Sequence, residues 1–300
     1  MPTASIPELF KNRTIVFATD FFESSRLALD YATGFAERYK AKVVMVHAIE
    51  LTQPACEAEI LGHKKSMLRV SAEQRLESLA QGVRRLGIEV ITHTEAGEPS
   101  DVLVRMAEAY NADMLVLGTH GVHRGLGHLL LGSNVEKLLM ESPCPTLTVG
   151  RHVMAGVDMH LRFSEVLYVS DFSAEAVAAA PYALLLARDF GAPIDVCQLM
   201  PDAAVNDPSI KVAMSTAYCD EMRRILPDAD HYWCTPTFQL DRSLMTEQVL
   251  ERAEMNSAGV VVLGIKAEPF LGRHLHTSFG YELLAKATCP ILTVRRMPQT

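Results

Sequence analysis

Three hundred residues, 49% hydrophobic and 21% charged, suit two globular domains with ample core and exclude a disordered chain. The formal net charge is −8, with 15 basic to 18 acidic residues in positions 1–150 and 13 to 18 in positions 151–300, so neither half is a basic module and non-specific binding to nucleic acid is disfavoured. No run of about 18 apolar residues and no basic segment leading into an apolar stretch occurs, and the six cysteines show no CxxC spacing, so a cytoplasmic protein with reduced thiols and no membrane span is expected.

In chain order, residues 13–20 form a short β-rich run that closes on Asp20. A helix is expected from about Ser24, because Leu27, Tyr31 and Phe35 recur every four residues beside Ala28, Ala32 and Ala36. Residues 42–48 are apolar enough for a central strand. A longer, more polar segment from Glu50 contains a second helical pattern through Leu68, Leu76, Leu79, Val83 and Leu86, ended by Gly87. Residues 88–94 alternate as a third strand, and Gly97, Glu98, Pro99 and Ser100 introduce a helix carrying Val102, Leu103 and Met106. The fourth strand, from Met114 to Leu117, runs into Gly118. Pro143 and Pro145 then stop a further helix, and Thr146 to Val149 is a fifth strand. This β-α-β-α-β-α-β-α-β order implies an open, doubly wound parallel sheet with helices on both faces.

The stretch after the fourth strand holds Gly118, Gly121 and Gly132 around His120, His123, Arg124 and His128. Glycines here let backbone approach a ligand, and Gly132 and Ser133 stand just before Val135, Leu138 and Leu139, so their N–H groups lie at a helix N-terminus suited to phosphate. The alternative is a loop that needs glycine only for its turns. No GxxxxGK[ST] occurs, and Gly125 and Gly127 lack the third glycine of GxGxxG, which excludes a Walker loop and a dinucleotide fingerprint.

The second half repeats the first. A shift of 151 superimposes Asp20 and Phe21 on Asp171 and Phe172, Tyr31 and Ala32 on Tyr182 and Ala183, Ala36 on Ala187 and Ala41 on Ala192; at the last strand, a shift of 145 brings Cys144 and Pro145 onto Cys289 and Pro290. A period of this length, kept in order at both ends, indicates tandem duplication. Domains are expected at 1–152 and 163–300, joined by 153–162. Pro181 falls inside the first helical pattern of the second half, where it should kink the helix or delay its start. Residues 201–227 show no regular pattern, and 230–237 resemble a strand only weakly.

Taken together, Asp20, the strand ending in His47 and Ala48, the segment from Ala96 to Pro99, the strand end from Leu117 to Gly121, the run from Leu129 to Ser133, and Cys144 to Val149 resemble the universal stress protein family in a tandem two-domain arrangement. The resemblance implies a stress-response regulatory protein that binds an adenine nucleotide, ATP first among them. It places Asp20 and Ala48 near the nucleoside, Leu117 and Gly118 beneath it, and Gly121, Gly132, Ser133 and Asn134 around ribose and phosphates. Ten residues separate Gly121 from Gly132, one more than the family spacing. In the second half Asp171 and Gly264 remain, but Ala267 stands for Gly121 and Thr277 for Gly132, which implies a non-binding partner domain.

Several of these residues have a structural reading beside the ligand one. Asp20 and Asp171 suit the cap of the helix that follows as well as they suit a ligand. The loop histidines lack a cysteine or carboxylate cluster, so no metal site is expected there. Arg124 is the better phosphate contact, since guanidinium pairs bidentately with phosphate oxygens. Magnesium, where it enters, would be carried by the nucleotide phosphates. With no catalytic constellation in the sequence, binding is favoured over turnover, slow ATP hydrolysis or phosphotransfer and a ligand-free interaction scaffold being the alternatives. Both halves end in a β-rich strand with an edge to protect, so intrachain pairing of the domains is expected; a further homodimer and the identity of any protein partner are left open.

Overall fold

The computed structural model describes residues 10–50, 58–119, 133–153, 161–171, 173–199, 237–239, 245–255, 257–265 and 279–295, together with short pieces between 207 and 220. The described residues fall into two compact units, one spanning 10–149 and the other 150–295. Each is built on an open, all-parallel sheet of five strands.

In the first unit the elements are β1 (Thr14–Ala18), α1 (Glu23–Tyr39), β2 (Lys42–Ile49), α2 (Ala58–Arg84), β3 (Val90–Ala96), α3 (Pro99–Ala109), β4 (Met114–Gly118), α4 (Ser133–Glu141) and β5 (Thr146–Val149). The strand order is β3-β2-β1-β4-β5. Val16 lies opposite Val44 on one side and Leu115 on the other, which fixes the central register. Successive side chains of a strand point to opposite faces. Val16, Val44, Val46, Leu115 and Leu117 accordingly pack on Val102, Leu103, Met106 and Leu138, making one face of the sheet the floor for α3 and α4. Ile15, Phe17, Val43 and Met45 point the other way and are fully buried as well. Both faces of the central strands are therefore apolar, as a sheet covered on both sides requires.

Helix boundaries follow local chemistry. Pro99 occupies the first turn of α3, where its missing N–H costs nothing. α1 ends at Lys40 in a left-handed conformation (φ 52°), whose N–H bonds the carbonyl of Ala36. α2 departs from the expected pattern: its buried stripe is Ala72, Leu76, Ala80 and Val83, whereas Leu68 and Leu86 are about half exposed and Leu86 lies beyond the helix. Leu76 and Val83 are buried as the pattern expects, and Ala72 and Ala80 complete the stripe.

The second unit contains β6 (Val166–Ser170), α5 (Ala174–Phe190), β7 (Ile194–Leu199), β8 (Thr237–Gln239), α6 (Met245–Met255), β9 (Val260–Ile265), α7 (Phe279–Lys286) and β10 (Ile291–Arg295). Its order, β8-β7-β6-β9-β10, repeats that of the first unit. α5 begins seven residues before Pro181 and runs through it, so the delayed start expected from the proline does not occur; Ser173 caps the helix by accepting the N–H of Ala176 at 3.2 Å. α5 closes on Gly191 (φ 63°), the counterpart of Lys40 under the 151-residue shift. Of the weak strand expected at 230–237, only Thr237 lies within the described residues, at the start of β8. One difference in the core introduces a charge. Asp195 on β7, buried to 4% exposure, stands where β2 has Val44 and pairs with Arg252 of α6.

Candidate functional site

Strand order reverses sense between β1 and β4: the chain leaves β1 toward β2 and β3, then returns to the opposite side of β1 at β4. Loops leaving such a pair diverge to opposite faces and open a crevice at the carboxyl edge of the sheet. The residues at that edge are Thr19 and Asp20 after β1, and Gly118 and Thr119 at the end of β4.

The β1–α1 turn is tightly held. The N–H of Phe22 donates to Oδ1 of Asp20 at 2.9 Å, and the N–H of Phe21 donates to Oγ1 of Thr19 at 3.0 Å. Thr19 Oγ1 lies 3.1 Å from Oγ of Ser25, which itself donates to the carbonyl of Phe22 at 2.9 Å. Phe21 sits at φ 66°, a left-handed conformation uncommon for a residue with a side chain. Asp171 repeats the aspartate turn, accepting the N–H of Ser173 at 2.9 Å. Neither aspartate is the N-cap. Phe22 and Ser173 hold that position, and each carboxylate braces the turn just ahead of it. At Asp20 one carboxylate oxygen is thus committed to the backbone, and Oδ2 has no hydrogen-bond partner among the described residues.

Gly118 has a packing role of its own. A Cβ there would lie 2.6 Å from the carbonyl carbon of Ser24 and 2.6 Å from the nitrogen of Ser25, so the first turn of α1 rests directly on this glycine. The same holds for Gly264, where a Cβ would stand 2.2 Å from the carbonyl carbon of Glu175. Persistence of this glycine in both halves is therefore explained by the seating of the helix after the first strand.

Of the other expected site residues, Ala48 is half-buried and packs at the margin of the α3/α4 face, and Leu117 is buried in that face, so it contributes floor and backbone. Ser133 and Asn134 open α4, placing its first N–H groups at their positions. Lys137 ties α4 to α3 through Asp101 at 2.6 Å. Gly121, Arg124 and Gly132 lie outside the described residues, as do His120, His123 and His128, and in the second half Ala267, Thr277 and Ser278. Among the described residues, no group of three or more His, Cys, Asp or Glu side chains could hold a metal ion, and no helix is long and apolar enough to cross a membrane. Cys144 and Cys289, at matching positions, are free thiols pushed by burial to about 12, which keeps them protonated and unreactive.

Residues not anticipated from the sequence adjoin Asp20. His47 points to the face opposite Ala48, and its Nδ1 lies 2.7 Å from the carbonyl of Thr19; because a carbonyl only accepts, Nδ1 carries the proton. The Phe21 ring lies against the imidazole, with centroids 4.4 Å apart, and the Arg75 guanidinium of α2 covers the Phe21 ring at 4.1 Å. Burial lowers the pKa of His47; the bond to Thr19 raises it, the charge of Arg75 lowers it further, and that of Asp20 raises it. The available signal was a polar residue at a buried-phase position in an otherwise apolar strand.

Comparison with known proteins follows the same division of the chain. The model of the Universal stress protein family matches residues 11–150 and again 162–295. A universal stress protein of Thermus aquaticus is 31% identical over 143 residues, spanning 46% of this chain and 98% of the relative. One from Methanocaldococcus jannaschii is 26% identical over 155 residues, spanning 46% of this chain and 95% of the relative. Over the whole chain, the crystal structure of a universal stress protein from Archaeoglobus fulgidus shares the fold with a TM-score of 0.70 at 20% identity, covering 96% of this chain and all of that one.

Proposed function

The chain belongs to the universal stress protein family, with the family domain present twice, and from that premise we propose that its first domain binds one adenine nucleotide, ATP first among them, as a regulatory signal. The observation that carries this reading is the convergence of the Asp20 turn and the end of β4 at the crevice where strand order reverses. Asp20 keeps one oxygen for the turn and offers the other to the ribose or base. Ala48, Leu117 and Gly118 supply the floor. Gly121, Arg124, Gly132, Ser133 and Asn134 are assigned to ribose and phosphates, with N–H groups at the start of α4 as donors, and magnesium enters with the phosphates. The sequence carries no catalytic motif, and binding is on that ground favoured over rapid turnover.

The second domain, 163–300 in this reading, is a partner of the first, 1–152, and carries no nucleotide. Thr277 and Ala267 bring side-chain atoms where Gly132 and Gly121 leave backbone bare. Gly264 does not count against this, since packing alone accounts for it. Titration calorimetry of the intact chain with ATP and magnesium tests the proposal: one equivalent is expected, and Gly132→Val should remove it. Absence of binding heat, with no nucleotide released on denaturing freshly purified protein, would favour the scaffold reading instead. Two equivalents would overturn the asymmetry.

A further inference from the structure

His47 holds both neighbours of Asp20. On the N-terminal side it donates from Nδ1 to the carbonyl of the Thr19–Asp20 peptide at 2.7 Å. On the C-terminal side its ring supports Phe21, whose left-handed φ of 66° is retained while the ring is held between His47 and Arg75. A strained residue persists only where its surroundings over-determine it, and such positions cluster at binding sites and switches. Two contacts from one side chain thus fix the peptide before Asp20 and the residue after it. Arg75 lies in the middle of α2, so the same stack joins that helix to the turn.

We propose that His47 is a positioning residue of the nucleotide site, aiming Oδ2 of Asp20 through its grip on Thr19 and Phe21, and that Arg75 couples this aim to α2. The inference rests on the binding reading above and adds to it a control by protonation. The groups that face the imidazole among the described residues are Asp20 from the β1–α1 turn and Arg75 from α2; its register neighbour on β3, Thr94, does not titrate. Neutral imidazole leaves the Asp20 carboxylate to the ligand. Protonated imidazole attracts that carboxylate toward the sheet and repels the Arg75 guanidinium across the Phe21 ring, loosening the stack and misdirecting the oxygen. Acidification therefore weakens nucleotide binding, through a group that does not touch the nucleotide.

The experiment is calorimetric titration of the full chain with ATP and magnesium between pH 5 and 8 (about 1.5 units either side of the ordinary histidine value), on wild type, His47→Asn, His47→Leu and Arg75→Met. The asparagine amide can keep a donor near Thr19 and cannot titrate. It should bind within about threefold of wild type at the upper end of the range and show no loss on acidification. His47→Leu loses the donor and should bind about tenfold more weakly at every pH, the effect of one missing hydrogen bond. Arg75→Met retains packing on Phe21 without the charge, and its acid-induced loss should be smaller than that of wild type. Wild-type binding that is flat with pH, or His47→Leu binding as tightly as wild type while folded by circular dichroism, overturns the inference and leaves the binding reading intact. A wild type that binds no nucleotide overturns both.

Discussion

Gly118 and Gly264 provide the sharpest test of whether these glycines serve a ligand or the fold. Gly118→Ala would set a methyl group 2.6 Å from two backbone atoms of Ser24 and Ser25, and Gly264→Ala would set one 2.2 Å from the carbonyl carbon and oxygen of Glu175. Carbon atoms rest at about 3.5–4.0 Å, so the first turn of α1 or α5 must withdraw by on the order of 1 Å. The obstructing atoms are backbone, which no rotamer change can move aside. Overpacking of this kind costs about 1–3 kcal/mol, corresponding to a fall in melting temperature of roughly 3–10 °C. The assay is thermal unfolding of nucleotide-free protein, with hydrogen exchange to assign the loss to the unit carrying the substitution. If glycine stood at these positions for a ligand alone, Gly264→Ala would be neutral. An unchanged melting temperature in either nucleotide-free variant would refute the packing argument. Gly118→Val is for the same reason a poor probe of binding, because it disturbs the helix that carries the Asp20 turn.

Stability should also respond to the ionisation of His47. Its pKa is lowered on folding, so below its ordinary value of 6.5 the unfolded chain takes up the proton first, and the native state loses stability as pH falls from there toward the folded value. Urea unfolding of nucleotide-free protein at a series of pH values should show this loss diminished in His47→Asn. In the second unit, Arg252→Ala would remove the Arg252 contact of buried Asp195 and should destabilise by up to about 3 kcal/mol; Asp195→Val combined with Arg252→Leu, which restores the apolar character of Val44, should recover most of it in a double-mutant cycle of unfolding free energies. Lys40→Gly relieves a side chain in the left-handed region and should stabilise the first unit by up to about 1 kcal/mol, read as a rise in its unfolding midpoint.

Much of the architecture is legible because burial on both faces writes itself into apolar runs, and Gly87, Pro99 and Pro143 punctuate where the backbone demands it. The duplication made the order of elements readable twice. Less legible was anything that depends on atoms brought together across the sheet. In α2 the expected Leu76 and Val83 are buried, but Ala72 and Ala80 share the stripe while Leu68 and Leu86 face outward, a division that hydrophobic size does not reveal. Pro181 implies a kink or a late start, but α5 starts at Ala174, capped by Ser173, and runs through the proline. His47 looked like an ordinary member of a central strand. Its attachment to Thr19 and its stack with Phe21 and Arg75 join residues up to 56 positions apart in sequence.

The repeat also separates roles that motif matching combines. An aspartate after the first strand and a glycine at or next to the end of the fourth are shared by both halves, and in both they make the same structural contacts: Asp20 and Asp171 each brace a turn, and Gly118 and Gly264 each seat a helix. Features common to a domain expected to bind and to one expected not to bind build the crevice in each and do not decide which of the two holds the ligand. The discriminating positions are those where the halves differ, namely Gly121 against Ala267 and Gly132 against Thr277. A reciprocal exchange follows. Placing glycine at Ala267 and Thr277 would remove the side-chain atoms argued to exclude phosphate without touching Asp171 or Gly264. If backbone access is what the second half lacks, the doubly substituted chain should bind a second equivalent of ATP in calorimetry, at lower affinity than the first. Stoichiometry remaining at one would show that backbone access alone does not make the site.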